Sequence, residues 1–158
     1  LFPLIKDGGR VVTVSSGAAH LSIIPSRELQ REFASADSTL EVTRLAELLS
    51  QFVADVEESP SRASAPDSSW PHVAKGWPNS AYGMTKLGQV ALTKIHAREL
   101  APRSISVNCI DPGSVSTGMN PRGPRSPAQG ADTAVWLAVQ SSRFATGQFF
   151  RDRQVMAW

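Results

Sequence analysis

The sequence predicts an α/β fold built on a parallel sheet, and three observations predict it. Short β-runs alternate with longer helical stretches, and that order favours parallel pairing with right-handed crossovers and helices on the sheet faces. The first β-run, residues 10–16, places Val11, Val12 and Val14 on both faces, as a strand covered on both sides requires. Two runs end in small or turn-forming residues, Ser15-Ser16 and Asp111-Pro112-Gly113. In sheets of this kind functional groups gather at the carboxyl ends of strands, so two distant segments point at one edge.

Each element has its own signal. Residues 1–6 read as the last turn of a helix that begins upstream, closed by Gly8-Gly9 as C-cap glycines close helices. After the first strand, Gly17-Ala18-Ala19 makes a turn of small residues, and a short helix is expected over 26–34. Ser38-Thr39-Leu40-Glu41 has the spacing of a capping box, followed by Leu45, Leu48, Leu49, Phe52, Val53 and Val56 on one helical face. A helix over 39–57 follows from that spacing, its apolar stripe packing on its own domain or on a partner. Residues 59–80, rich in Pro, Ser and Ala, form a long loop, with Trp77 a candidate border of a binding pocket.

A helix over 80–100 carries Met84, Leu87, Ala91, Leu92 and Ile95 on one side, and Pro102 stops it. Residues 104–110 form a second strand. Ser126-Pro127-Ala128-Gln129 offers an N-cap, a proline at the first helical position and a capping-box glutamine, opening a helix to about residue 139. A last short strand is expected over 147–150, with a tail that packs back or frays.

Composition bounds the rest. The 158 residues suffice for one domain with a core, and 41% hydrophobic against 19% charged residues is ordinary for a globular protein. The net charge is +2 and no basic stripe interleaves with aromatics, so nucleic-acid binding is not expected. No apolar run approaches a membrane span. The single cysteine, Cys109, excludes an intramolecular disulfide and a cysteine-based zinc site, and fits a reducing cytoplasmic compartment. His20, His72 and His96 have no metal-ligand spacing.

The chemistry lies in Tyr82-Gly83-Met84-Thr85-Lys86. Tyr82 and Lys86 stand four residues apart on one helical face, roughly 6 Å from each other. A cation at that range favours the phenolate, which makes the phenol a usable proton donor or acceptor. Ser16, or Ser15 beside it, would supply a hydroxyl from the first strand's end. No Gly-x-Ser-x-Gly elbow surrounds them, so a serine hydrolase is disfavoured.

Taken together, these segments resemble the short-chain dehydrogenase/reductase family, most closely its carbonyl reductase branch. The resemblance is carried by Gly9-Arg10-Val11-Val12-Thr13-Val14-Ser15-Ser16, Gly76-Trp77-Pro78-Asn79-Ser80-Ala81-Tyr82-Gly83-Met84-Thr85-Lys86, Asp111-Pro112-Gly113-Ser114-Val115-Ser116-Thr117, Ser126-Pro127-Ala128-Gln129-Gly130-Ala131 and Gly147-Gln148-Phe149. It implies the C-terminal portion of a Rossmann-like doubly wound parallel sheet, one partial dinucleotide-binding catalytic domain over 1–158, with a helical insert and loop at 20–79 before the catalytic helix. It implies Ser16 as the serine bonding a substrate carbonyl oxygen, Tyr82 as proton donor, and Lys86 as the residue tuning that tyrosine and bonding the nicotinamide ribose. Pro112, Gly113, Val115, Ser116 and Thr117 would cradle the nicotinamide carboxamide and a nearby phosphate, Thr117 being alternatively a simple helix cap. The implied cofactor is NADPH, and the implied substrate is a small ketone, aldehyde or quinone. The insert implies a monomer.

The sequence also departs from the family. It holds no Gly-x-x-x-Gly-x-Gly turn, no residue that selects NAD or NADP, and no Asn-Asn-Ala-Gly strand end. The expectation is therefore a piece of a longer reductase, with one edge of its first strand unpaired. By itself it would be marginal or unfolded, and catalytically silent, or would serve as a non-catalytic scaffold derived from a reductase.

Overall fold

The computed structural model describes residues 2–58, 70–141 and 144–158. Its sheet has the order β1 (Arg10–Val14), β2 (Ser106–Ile110), β3 (Phe149–Arg151) and β4 (Gln154–Val155). β1 pairs with β2 in parallel, from Arg10 opposite Ser106 to Val14 opposite Ile110, and β2 pairs with β3 in parallel. All five residues of β2 are buried, whereas β1 is the edge and its Val14 is 51% exposed.

The helices are α1 (Arg27–Ala34), α2 (Val42–Glu57), α3 (Pro71–Ala74), α4 (Ala81–Glu99) and α5 (Pro127–Val139). Strand side chains alternate between faces, and the packing follows that parity. Ile105, Val107 and Val11 meet Ala97 and Leu100 at the end of α4, while Ile110 and Val12 meet Leu137 of α5. The two helices thus cover opposite faces, the doubly wound arrangement that the alternation of elements predicts.

The insert closes a second core. Leu45, Leu48 and Phe52 of α2 pack on Met84, Leu87, Ala91 and Ile95 of α4. Most of the apolar stripe of α2 therefore packs within its own chain, while Val53 remains 52% exposed. At the centre of the insert Asp55, 1% exposed, accepts hydrogen bonds from Gln51 Nε2 (2.8 Å), Lys75 Nζ (2.6 Å) and Trp77 Nε1 (2.7 Å).

Several boundaries differ from the sequence expectation, each for a tertiary reason. The capping box at Ser38 does not form. Residues Ser35–Asp37 make a 3-10 turn and α2 begins at Val42, with no side-chain bond from Glu41. Arg98 of α4 holds the segment that precedes α2: its guanidinium donates to Ala36 O (3.3 Å), Leu40 O (2.6 Å) and Glu41 Oε1 (3.1 Å), and Glu41 is extended. The first residues form a 3-10 turn, Phe2–Leu4, rather than an α-helical end, held by Arg103 bonding Phe2 O, Ile5 O and Asp7. Trp77 is buried in the insert core, bonded to Asp55, and borders a pocket there with Ser26, Leu29 and Lys75. The first half of the expected loop, 59–69, lies outside the described residues.

The tail turns back as β4. Asp152 and Arg153 both adopt positive φ, 49° and 63°, the signature of a two-residue hairpin turn. Trp158 then packs beside the core, with Lys94 Nζ 5.2 Å from its ring centroid.

Candidate active site

Ser80 starts α4 by accepting a hydrogen bond from Gly83 N (3.0 Å), which places Tyr82 in the first turn and Lys86 one turn later. The Lys86 ammonium lies 5.8 Å from the Tyr82 ring centroid, within range of an attractive contact with the ring. Tyr82 is 59% exposed.

Two hydrogen bonds tie this turn to the end of β1. Lys86 Nζ donates to Val14 O (3.3 Å), and Ser15 Oγ donates to Lys86 O (3.0 Å). A third contact, Lys86 Nζ to Gln89 Oε1 (3.2 Å), orients the ammonium from its own helix. The two serines have different tasks. Ser15 is 2% exposed and spends its hydroxyl on α4. Ser16 is half-buried, and its Oγ accepts from Ala18 N (3.2 Å), which leaves the hydroxyl proton to donate elsewhere.

The second segment lies at the carboxyl end of β2. Asp111 Oδ1 accepts from Gly113 N (2.9 Å), closing a tight turn in which Gly113 has φ +71°, a conformation suited to glycine. Beyond it, Val115 and Arg125 bridge in parallel, and Asn120 Nδ2 donates to Ser114 Oγ (3.0 Å) and Val115 O (3.2 Å). Thr117 begins no helix. Its Oγ1 accepts from Asn120 N (3.2 Å), so it caps a turn within this loop. Ser116 Oγ donates to Pro121 O (3.3 Å). The capping box at Ser126 forms as the sequence predicts, with both bonds present, and starts α5 under this loop.

Sequence reasoning read Asp111 only as a strand breaker and did not single out Asn120, Arg125 or Arg151. Arg151 Nη1 stands 3.3 Å from Asp111 Oδ2, and Arg125 pairs with Asp152. The Asp-Pro-Gly string carried a signal for the Asp111 turn, but the arginine partners arise from the hairpin and had none. The histidines take structural places: His72 is buried beside Phe52, and His96 contacts Glu99 (2.9 Å) and the Phe2 ring. Among the described residues no cluster of His, Cys, Asp and Glu can hold a metal ion, and no helix is long and apolar enough to cross a membrane.

A parallel sheet covered on both faces, with polar groups meeting at its carboxyl edge, defines the class as a doubly wound α/β protein. The family model described as enoyl-(acyl carrier protein) reductase matches residues 68–151. Carbonyl reductase [NADPH] 1 of Bos taurus is 39% identical and that of Homo sapiens 38%, each aligned over 100% of this chain and 55% of the relative. Among solved structures, salutaridine reductase from Papaver somniferum superposes with a TM-score of 0.77 at 27% identity, over 96% of this chain and 48% of that one. Menthone neomenthol reductase from Mentha piperita gives 0.65 at 25% identity, over 92% and 41%. The chain belongs to the short-chain dehydrogenase/reductase family, in its carbonyl reductase branch, and spans about half the length of the curated relatives it matches.

Proposed function

We propose that this chain carries the catalytic half of an NADPH-dependent carbonyl reductase acting on a small ketone, aldehyde or quinone. The observation that carries the reading is the junction of α4 with β1. Lys86 sits one turn from Tyr82 and reaches Val14 O, two residues before Ser16. The names of the carbonyl reductase relatives support the cofactor.

The residues fit such a cofactor. The Lys86 ammonium has three hydrogens, and its two contacts with Val14 and Gln89 leave one for a ribose hydroxyl. In the loop from Pro112 to Thr117, Gly113 N, Ser116 N, Thr117 N and the Ser116 hydroxyl are spent on internal bonds, which leaves the Val115 N–H and the Thr117 hydroxyl proton for the carboxamide and a phosphate. When bound, the nicotinamide supplies a hydride to the carbonyl carbon. The chain's own part is the oxygen. The Ser16 hydroxyl donates a hydrogen bond to it, and Tyr82 delivers its phenolic proton as negative charge develops there. Lys86 stabilises the phenolate left on Tyr82 until solvent restores the proton.

The working unit is a complete sheet, and these 158 residues alone are catalytically silent. The exposed edge at Val14 and the lack of a glycine-rich phosphate turn in the sequence support that. The insert lies along α4 with Leu49 against Gly88, which supports a monomer by covering that helix. The test is NADPH oxidation with a panel of ketones and quinones by the protein at its native length. Tyr82→Phe should lower kcat by about 10²- to 10⁴-fold with the melting curve unchanged. Retained turnover would remove Tyr82 from the chemistry. NADPH oxidation with none of the panel would favour the scaffold reading.

A further inference from the structure

Asp111 is 5% exposed, and its carboxylate bonds Gly113 after β2 and Arg151 of β3 and stands beside Gly17 after β1. Its backbone N donates to Phe150 O (2.8 Å), and its Oδ1 accepts from Gly113 N (2.9 Å). Its Oδ2 meets Arg151 Nη1 at 3.3 Å. The same oxygen fills the space beside Gly17, where an added methyl group would stand 2.7 Å from it. Gly17 follows Ser16 and lies inside the turn in which Ala18 N bonds Ser16 Oγ and Ala19 N bonds Ser16 O (3.0 Å).

We propose that Asp111 is a positioning residue for carbonyl reduction. Its two oxygens fix the spacing between the Ser16 turn and the Gly113 turn, and Arg151 holds the carboxylate in that orientation. The inference rests on the reductase reading above. Stability alone does not account for the pair, because the Arg151 side chain is 44% exposed and a pair open to solvent contributes little. A cap for Gly113 alone needs only one acceptor, which asparagine also provides. The carboxylate differs in presenting an acceptor on both sides, one for Gly113 and one for Arg151. In Asp111→Asn the amide NH₂ would face the Arg151 guanidinium, donor against donor. Arg151 would move off, the wall beside Gly17 would shift, and the Ser16 hydroxyl would lose its place while the Gly113 cap survived.

The experiment uses the protein at its native length. Asp111→Asn should lower kcat by about 10- to 100-fold, the scale of a misplacement near 1 Å, with KM for NADPH within about twofold and the melting temperature unchanged. Asp111→Ala should also raise KM for NADPH, because it removes the Gly113 cap. Combining Asp111→Asn with Arg151→Gln should recover part of kcat, since the glutamine carbonyl accepts from the new amide. Asp132→Asn, in the exposed pair with Arg153, is the control and should leave kcat unchanged. A wild-type kcat in Asp111→Asn overturns the proposal, as does a loss of kcat that only follows a lowered melting temperature. Should the wild-type protein reduce no carbonyl compound, the reductase reading falls by itself, and amide exchange decides the positioning role. Asp111→Asn should then speed exchange at Ala18 and Ala19 but not at Gly113, and unchanged exchange at the Ser16 turn overturns it.

Discussion

The insert side of α4 and the β1 edge are built from similar residues and end differently. On the insert side, Leu45, Leu48, Phe52 and Trp77 are each no more than 6% exposed, and the buried carboxylate of Asp55 accepts from Gln51, Lys75 and Trp77. At the β1 edge a valine strand is paired on one side only. Val14 is 51% exposed there, and Val135 of α5, the helix packed over β1, is 61% exposed. The first region buries most of its apolar surface, with Val53 at 52% the exception, and pairs the Asp55 carboxylate internally. The second leaves backbone and valine surface open, which is a template for strand addition. Local completeness is therefore uneven across one small protein.

The largest effect belongs to the closed side. Asp55→Ala leaves Trp77 Nε1 without its acceptor inside the core, at a cost of about 2–4 kcal/mol by urea denaturation. Asp132→Ala, in the exposed pair with Arg153, should leave the midpoint where it was. Equal losses in the two variants would remove the distinction between a buried network and a surface pair.

Acid should find the same group. Burial by itself pushes the Asp55 carboxyl up, but hydrogen bonds from Lys75, Trp77 and Gln51 outweigh it and hold the group below the usual carboxylate range. A depressed value in the folded state means the stabilisation is complete above the unfolded value, near ~3.9, and is lost as pH falls through the folded one. The urea midpoint should thus decline below about pH 4, and Asp55→Asn should flatten that decline. A wild-type midpoint that stays level down to about pH 2 would contradict the assignment.

The contrast also explains what was legible in the sequence. Val11, Val12 and Val14, the capping box at Ser126 and the Tyr82–Lys86 spacing carry local signals, and each appears where periodicity or capping places it. The start of α2 is not legible locally, because Arg98, 57 residues away, takes the Glu41 carboxylate while the Ser38 hydroxyl turns back to Ser35 O. The bond of Trp77 to Asp55 has no local signal, because the two residues lie 22 apart in the chain. At the candidate site, the tyrosine, lysine and serines could be named from motif and resemblance. Asp111 could not, because its meaning comes from Arg151 on a hairpin whose turn residues, Asp152 and Arg153, are not the usual glycine or asparagine.

Cys109 reports on the sheet between the two regions. Burial pushes its thiol up to about 12, with Thr93 and Lys94 offsetting only part of that, and the side chain is fully covered. Thiolate is the reactive form, so labelling by a disulfide reagent at pH 8 should run at least ~100-fold slower than for a free cysteine. Prompt labelling under native conditions would mean that the β2–β3 core opens readily, and that the exposed edge destabilises the sheet beyond β1.

The smallest expected effect is the most discriminating for the open side. Val135 sits mid-helix on α5 with most of its side chain in solvent, and lysine has a helix propensity at least as good as valine's. In the 158-residue chain Val135→Lys should change stability by less than about 0.5 kcal/mol and reduce aggregation, as for an ordinary surface position. In any longer form of the protein where further structure covers α5, the same substitution would bury an unpaired ammonium and cost several-fold more. Measuring both turns the exposed valines into a ruler: a matched, negligible effect means that this face meets water in the working protein, and a loss confined to the longer form means that it meets the rest of a sheet.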